Sequence, residues 1–171
     1  MNKSVRSTLI ALMCVAGIAA CAKKEVKPTP PPPPPPPPAQ PTPPPKPTGF
    51  MPSDLDSNAC LMKRKVYFDF DKSDIKPQFE EIMACHAKYL QDRPSAHIRL
   101  EGNADERGTR EYNLGLGERR GNAVAAALEA DGASADQITV VSYGEEHPVC
   151  REHNEACWSK NRRVDIVYTA K

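Results

Sequence analysis

Asp105 and Arg120 stand fifteen positions apart in the run GNADERGTREYNLGLGERR, residues 102–120. A carboxylate can accept an ammonium group. A guanidinium can grip a carboxylate through two parallel hydrogen bonds, which a lysine cannot do. Side by side, the two would match the end group of an amino acid, which carries both charges. Asp105 also precedes a segment of helical periodicity, and the unpaired N–H groups at a helix start attract a carboxylate. The same spacing fits a blander alternative, an Asp105–Arg120 salt bridge on a solvated face, contributing only ~0–1 kcal/mol. Spacing alone does not choose between them.

A second cluster lies in HPVCREHNEAC, where His147, Cys150, His153 and Cys157 form an H-x2-C-x2-H-x3-C series. Mixed imidazole and thiolate ligands suit zinc, but the spacing is not that of the usual finger or ribbon. Behind the leader described below, the cysteines are Cys60, Cys85, Cys150 and Cys157. Four cysteines allow three pairings. An exported, oxidising setting favours disulfides over free thiols or metal. Cys150 and Cys157 could close one loop, which would leave Cys60 for Cys85. Cys150 with His153 makes a weak case for a nucleophile and base, since no supporting acid or oxyanion element follows from the sequence. No enzyme activity, metal or cofactor is expected. His86 falls on an apolar helix face and reads as a core residue, whereas His97 opens a strand and reads as exposed.

The elements that must position these groups follow from periodicity. Lys65–Phe70 (KVYFDF) alternates β-formers with polar residues and reads as a strand. Ser73 or Asp74 can cap a helix running to Gln91, with Phe79, Ile82, Met83, His86 and Leu90 on one stripe. Arg93-Pro94 breaks it. His97–Glu101 (HIRLE) is a second strand. Thr109 or Glu111 opens a second helix, on which Tyr112, Leu116, Val124, Ala127 and Leu128 recur, and Asp131-Gly132 ends it. Gln137–Tyr143 and Val164–Thr169 are the last strands. The order β-α-β-α-β-β implies an α+β fold, with two main helices packed on one face of a roughly four-stranded mixed sheet.

The chain ahead of this domain has its own logic. Residues 1–20 have a basic start and an apolar run, Ser7–Ala20, of fourteen residues. At ~1.5 Å each that is short of a bilayer core, so the segment reads as a signal peptide. Ile18-Ala19-Ala20-Cys21 resembles a bacterial lipobox, which implies a diacylglyceryl thioether and an acylated amine on Cys21. Ala22, a non-acidic residue after the cysteine, implies by the same resemblance sorting to the outer membrane. Residues 21–27 are then a lipidated N-terminus. Residues 28–47 hold fifteen of the nineteen prolines, nine of them unbroken at Pro30–Pro38. Such a run adopts polyproline II, and at ~3.1 Å per residue, residues 28–47 reach roughly 60 Å within a tether over residues 28–52. A docking site for a proline-recognising module is the alternative. The domain, residues 53–171, carries 17 basic and 21 acidic side chains, a balance of −4. A mildly acidic domain does not suit nucleic acid.

Asn103, Asp105, Gly108, Tyr112, Asn113, Leu116 and Arg120 together make N-x-D-x-x-G-x-x-x-Y-N-x-x-L-x-x-x-R. This resembles the signature of the OmpA-like peptidoglycan-binding domain family. VYFDFDKSDIKP (66–77), SADQITVVSYGEEHP (134–148) and SKNRRVDIVY (159–168) are similar to its lipid-anchored branch, the peptidoglycan-associated lipoproteins. The resemblance spans residues ~64–169. It implies noncovalent binding of the peptidoglycan stem peptide at meso-diaminopimelate, with Asp105 and Arg120 holding the end group. Phe70 and Asp71, read as closing the first strand, would line the same pocket, as would Arg107. Thr109, Leu116 and Gly117 would fall at its edge. TolB and other Tol proteins are the implied partners, in a system that draws the outer membrane inward at division. The proline run and the Cys150–Cys157 insert depart from that branch. The insert is more like the disulfide-closed loop of outer-membrane OmpA proteins. Residues 22–52 supply neither a β-barrel nor the spanning helix of a flagellar stator relative. The rival function is an envelope interaction scaffold whose cell-wall site has lapsed, and a wall hydrolase is a third.

Overall fold

Burial alternates along the strands, and that alternation decides where the helices go. The computed structural model describes residues 49–171; the signal segment, the Cys21 lipid site and the proline tether lie outside the described residues. Four strands, β1 (Lys65–Tyr67), β2 (His97–Asn103), β3 (Ile138–Gly144) and β4 (Arg163–Ala170), form one sheet in the order β1-β4-β2-β3. β2 and β3 run parallel, and β4 is antiparallel to both β1 and β2, so the sheet is mixed. Ile98 and Leu100 on β2 and Val164 and Ile166 on β4 are buried, while the intervening Arg99, Glu101 and Asp165 are half-buried. One face therefore needs covering. The helices α1 (Glu80–Asp92) and α2 (Arg110–Ala130) cover it, and Ile82, Met83, Leu90, Val124 and Leu128 join the strand residues in one core. The fold is α+β, as the element order implies.

Three boundaries differ from expectation. β1 stops at Tyr67; the Phe68 N–H still donates at 3.0 Å to the Arg162 carbonyl, one register step beyond the Tyr67–Arg163 pair, and the chain then leaves the sheet. Phe70 and Asp71 consequently lie in a turn, where Asp71 takes a left-handed φ of 56°. α1 does not begin at Ser73 or Asp74. Pro77 holds Lys76 extended, at ψ 144°, and opens a short 3-10 turn, Pro77–Phe79, that leads into Glu80. Arg93 leaves helical geometry ahead of Pro94, as expected. Lastly, the segment read as a loop before β4 contains α3, Glu155–Asn161, whose N-cap Asn154 accepts from the Cys157 N–H at 3.0 Å. The order is β-α-β-α-β-α-β.

Two disulfides tie the ends of the fold. Cys60 joins Cys85 across 25 residues, linking the segment before β1 to α1, and Cys150 joins Cys157. Both expected pairings are present, so the His–Cys series offers imidazoles but no thiolate. The chain just ahead of Ser53 also packs on α1: the Phe50 N–H donates to the Asp92 carboxylate at 3.0 Å, and its ring lies near Tyr89. Among the described residues no helix is long and apolar enough to cross a membrane.

Candidate ligand-binding site

α2 is seated on β2 by two glycines. A Cβ built on Gly102 would lie 1.9 Å from the Gly117 carbonyl oxygen, so nothing larger fits between strand end and helix. Thr109 caps the helix by accepting from the Tyr112 N–H at 3.2 Å. These contacts bring the β2–α2 loop, the turn after β1 and the start of β4 around a cavity of about 240 Å³. Asp105, Arg107 and Gly108 line it from the loop, Phe70 and Asp71 from the turn, and Tyr112, Leu116 and Arg120 from α2. Thr109 and Gly117 are not in its lining; they fix the helix that forms its wall.

Asp105 and Arg120 meet at this cavity, but not as a salt bridge on a solvated face. They make no ion pair with each other, and both are buried rather than solvated. The Arg120 guanidinium donates to the carbonyls of Lys72 (2.8 Å), Asn103 (2.9 Å) and Asp69 (3.0 Å), joining the turn after β1 to the end of β2. Three of its N–H groups are thus committed to backbone, out of the five a guanidinium carries. Burial pulls its pKa down to about 10, partly opposed by Asp105, so it stays cationic at neutral pH.

Asp105 is held by two other arginines. One carboxylate oxygen accepts from the Arg107 backbone N–H and Nε, both at 3.1 Å. The other accepts from Arg107 Nη2 at 2.6 Å and Arg162 Nη1 at 3.0 Å. Burial alone would raise the Asp105 pKa, but these hydrogen bonds outweigh it and hold the group below the ordinary aspartate value. Arg162, which the sequence reading missed, also donates to the Phe68 carbonyl at 3.1 Å and to Glu155 at 2.5 Å. The available signal was the Arg162-Arg163 pair entering β4, two charges where a strand turns inward; both are buried. Asp71 accepts from the Tyr112 hydroxyl across the mouth.

The cavity therefore presents three guanidiniums, Arg107, Arg120 and Arg162, and two carboxylates, Asp71 and Asp105, around the apolar Leu116 and the exposed ring of Phe70. Such a set can bind a small ligand that bears both an ammonium and a carboxylate.

Comparison with known proteins places the fold in a family. The OmpA family model matches residues 67–162. The peptidoglycan-associated lipoprotein of Haemophilus influenzae is 40% identical over 168 residues, covering 98% of this chain and 100% of that protein. Its Pseudomonas aeruginosa namesake is 48% identical over 120 residues, 70% of this chain and 71% of that one. The crystal structure of the peptidoglycan-associated lipoprotein from Burkholderia pseudomallei superposes with a TM-score of 0.66 at 48% identity, covering 67% of this chain and 98% of that one. The C-terminal domain of Helicobacter pylori MotB, at 22% identity and a TM-score of 0.57, shares the fold. The sequence signature, the mixed sheet with its helices and the family match together show that this chain belongs to the OmpA family.

Proposed function

We propose that the domain binds peptidoglycan noncovalently and, through a lipid on Cys21, tethers the outer membrane to the cell wall. The ligand is the stem peptide, held at diaminopimelate, whose free end carries an amine and a carboxylate. The observation that carries this reading is the cavity itself, with Asp71 and Asp105 facing three guanidiniums over Leu116. The names of the similar proteins support the wall as the target. The site acts by binding and not by turnover. Contact with TolB in a Tol system, serving division and envelope integrity, is the wider role that the family resemblance supports.

The test is sedimentation with purified peptidoglycan. Asp105→Asn preserves shape but removes the charge that Arg107 and Arg162 share, and we expect at least a tenfold loss of co-sedimentation, on the order of the ~1.4 kcal/mol or more that an unpaired buried group costs. Free diaminopimelate should compete with the wall for the unaltered protein. Unchanged sedimentation of the Asn variant would sink the assignment, and clearing of the wall suspension would reveal an enzyme instead.

A further inference from the structure

Of the three cavity arginines, Arg107 alone is open to solvent, its side chain being 30% exposed against 6% for Arg162. Burial therefore does not orient it. One edge of its guanidinium is fixed by Asp105, through Nε and Nη2. That leaves Nη1 for a ligand, and leaves the plane free to tilt about the shared edge unless something covers its faces. Two aromatic rings close on it. The guanidinium carbon lies 4.0 Å from the centroid of Phe70 and 4.2 Å from that of Trp158. Both distances are well inside cation–π range.

Trp158 does not line the cavity. It belongs to α3, and several contacts fix its own position. Its Nε1–H donates to Glu106 at 2.7 Å, beside His153, which bonds the same oxygen at 2.6 Å. The Cys150–Cys157 bond closes the loop leading into the helix. Glu155, at the helix start, reaches Arg162 at 2.5 Å and Arg107 at 3.5 Å. An indole held in this way can act on the ligand only through Arg107.

We propose that Trp158 is a positioning residue for the ligand site: stacked on Arg107, it presses the guanidinium flat against Phe70, so that Nη1 meets a ligand carboxylate already ordered. The proposal rests on the stem-peptide reading and adds the device that pre-orders its exposed cation. Without the stack, Arg107 must lose its freedom at the moment of binding, and one rotamer-rich side chain ordered on binding weakens affinity by about two- to tenfold. Phenylalanine keeps the π face that does this, whereas leucine keeps only apolar bulk.

The experiment is calorimetric titration of a diaminopimelate-containing stem peptide into the full-length protein, its Trp158→Phe, Trp158→Leu and Arg107→Ala variants, and the Trp158→Leu/Arg107→Ala double variant. Circular dichroism of each checks folding. We expect Trp158→Phe to bind within about twofold of the unaltered protein, and Trp158→Leu to bind about two- to tenfold more weakly. In the Arg107→Ala background the leucine change should add nothing, because the indole then has no guanidinium to hold. Equal binding by Trp158→Leu and the unaltered protein overturns the proposal. So does equal weakness of the Phe and Leu variants, or a leucine effect that persists without Arg107. Absence of binding by the unaltered protein overturns the stem-peptide reading as well, which separates the two failures.

Discussion

His86 shows what a single buried side chain commits the domain to. Its Nε2 lies 3.1 Å from the Lys63 carbonyl and its Nδ1 2.7 Å from the Tyr168 hydroxyl. A carbonyl can only accept, so Nε2 carries the proton and Nδ1 accepts from Tyr168. The ring is thus fixed as the neutral tautomer. Burial, aided by Arg64, lowers its pKa to about 4 despite the opposing Lys63 carbonyl. The folded value lies below the unfolded one, so the unfolded chain binds the extra proton. Stability from this group is complete above about pH 6.5 and is lost as pH falls towards 4, by about 3 kcal/mol. Urea unfolding followed from pH 7 to pH 4.5 should show that decline, and His86→Gln should flatten it. A core role for His86 was legible from its place on the apolar stripe of α1. The partners of Asp105 were not. Arg162 lies 57 positions away and reaches it only because β4 returns beside the turn after β1.

At the scale of elements, the site depends on how closely α2 can approach β2. Strand and helix periodicities showed both elements, since hydrophobic spacing is local. They could not show that Gly102 and Gly117 touch, which is a property of packing. A Cβ on Gly117 would sit 2.3 Å from Ser142 Oγ, a hydroxyl already tied to the Leu114 carbonyl at 2.6 Å. Gly117→Ala should therefore destabilise by roughly 1–3 kcal/mol, as overpacked sites do. Gly102→Ala should cost more, since its obstacle is helix backbone. Urea midpoints with an unchanged m-value would check both, and peptide affinity should fall with them because Arg120 rides on the same helix. α3 escaped the sequence reading for a related reason: at seven residues it is too short for periodicity to speak, and only its Asn154 cap marks it.

For the whole molecule, the proposed tether enters the domain at residues 49–60, and the first covalent link it meets is the bond between Cys60 and Cys85. The strand that follows, β1, is a three-residue edge strand paired only with β4. Such an edge is a weak place to pull. A protein anchored in one layer and gripping another carries load, and that load would run along the chain into whatever comes first. The disulfide diverts it: tension arriving at Cys60 passes across to α1 and the shared core, and β1 is left slack. Single-molecule stretching between the N-terminus and the C-terminus should therefore show β1 leaving the sheet at lower force in the Cys60→Ser/Cys85→Ser variant than in the unaltered protein. The bond that looks like an ordinary staple is, in mechanical terms, the point where a rope is made fast, set so that the strain misses the strand leading to the binding site.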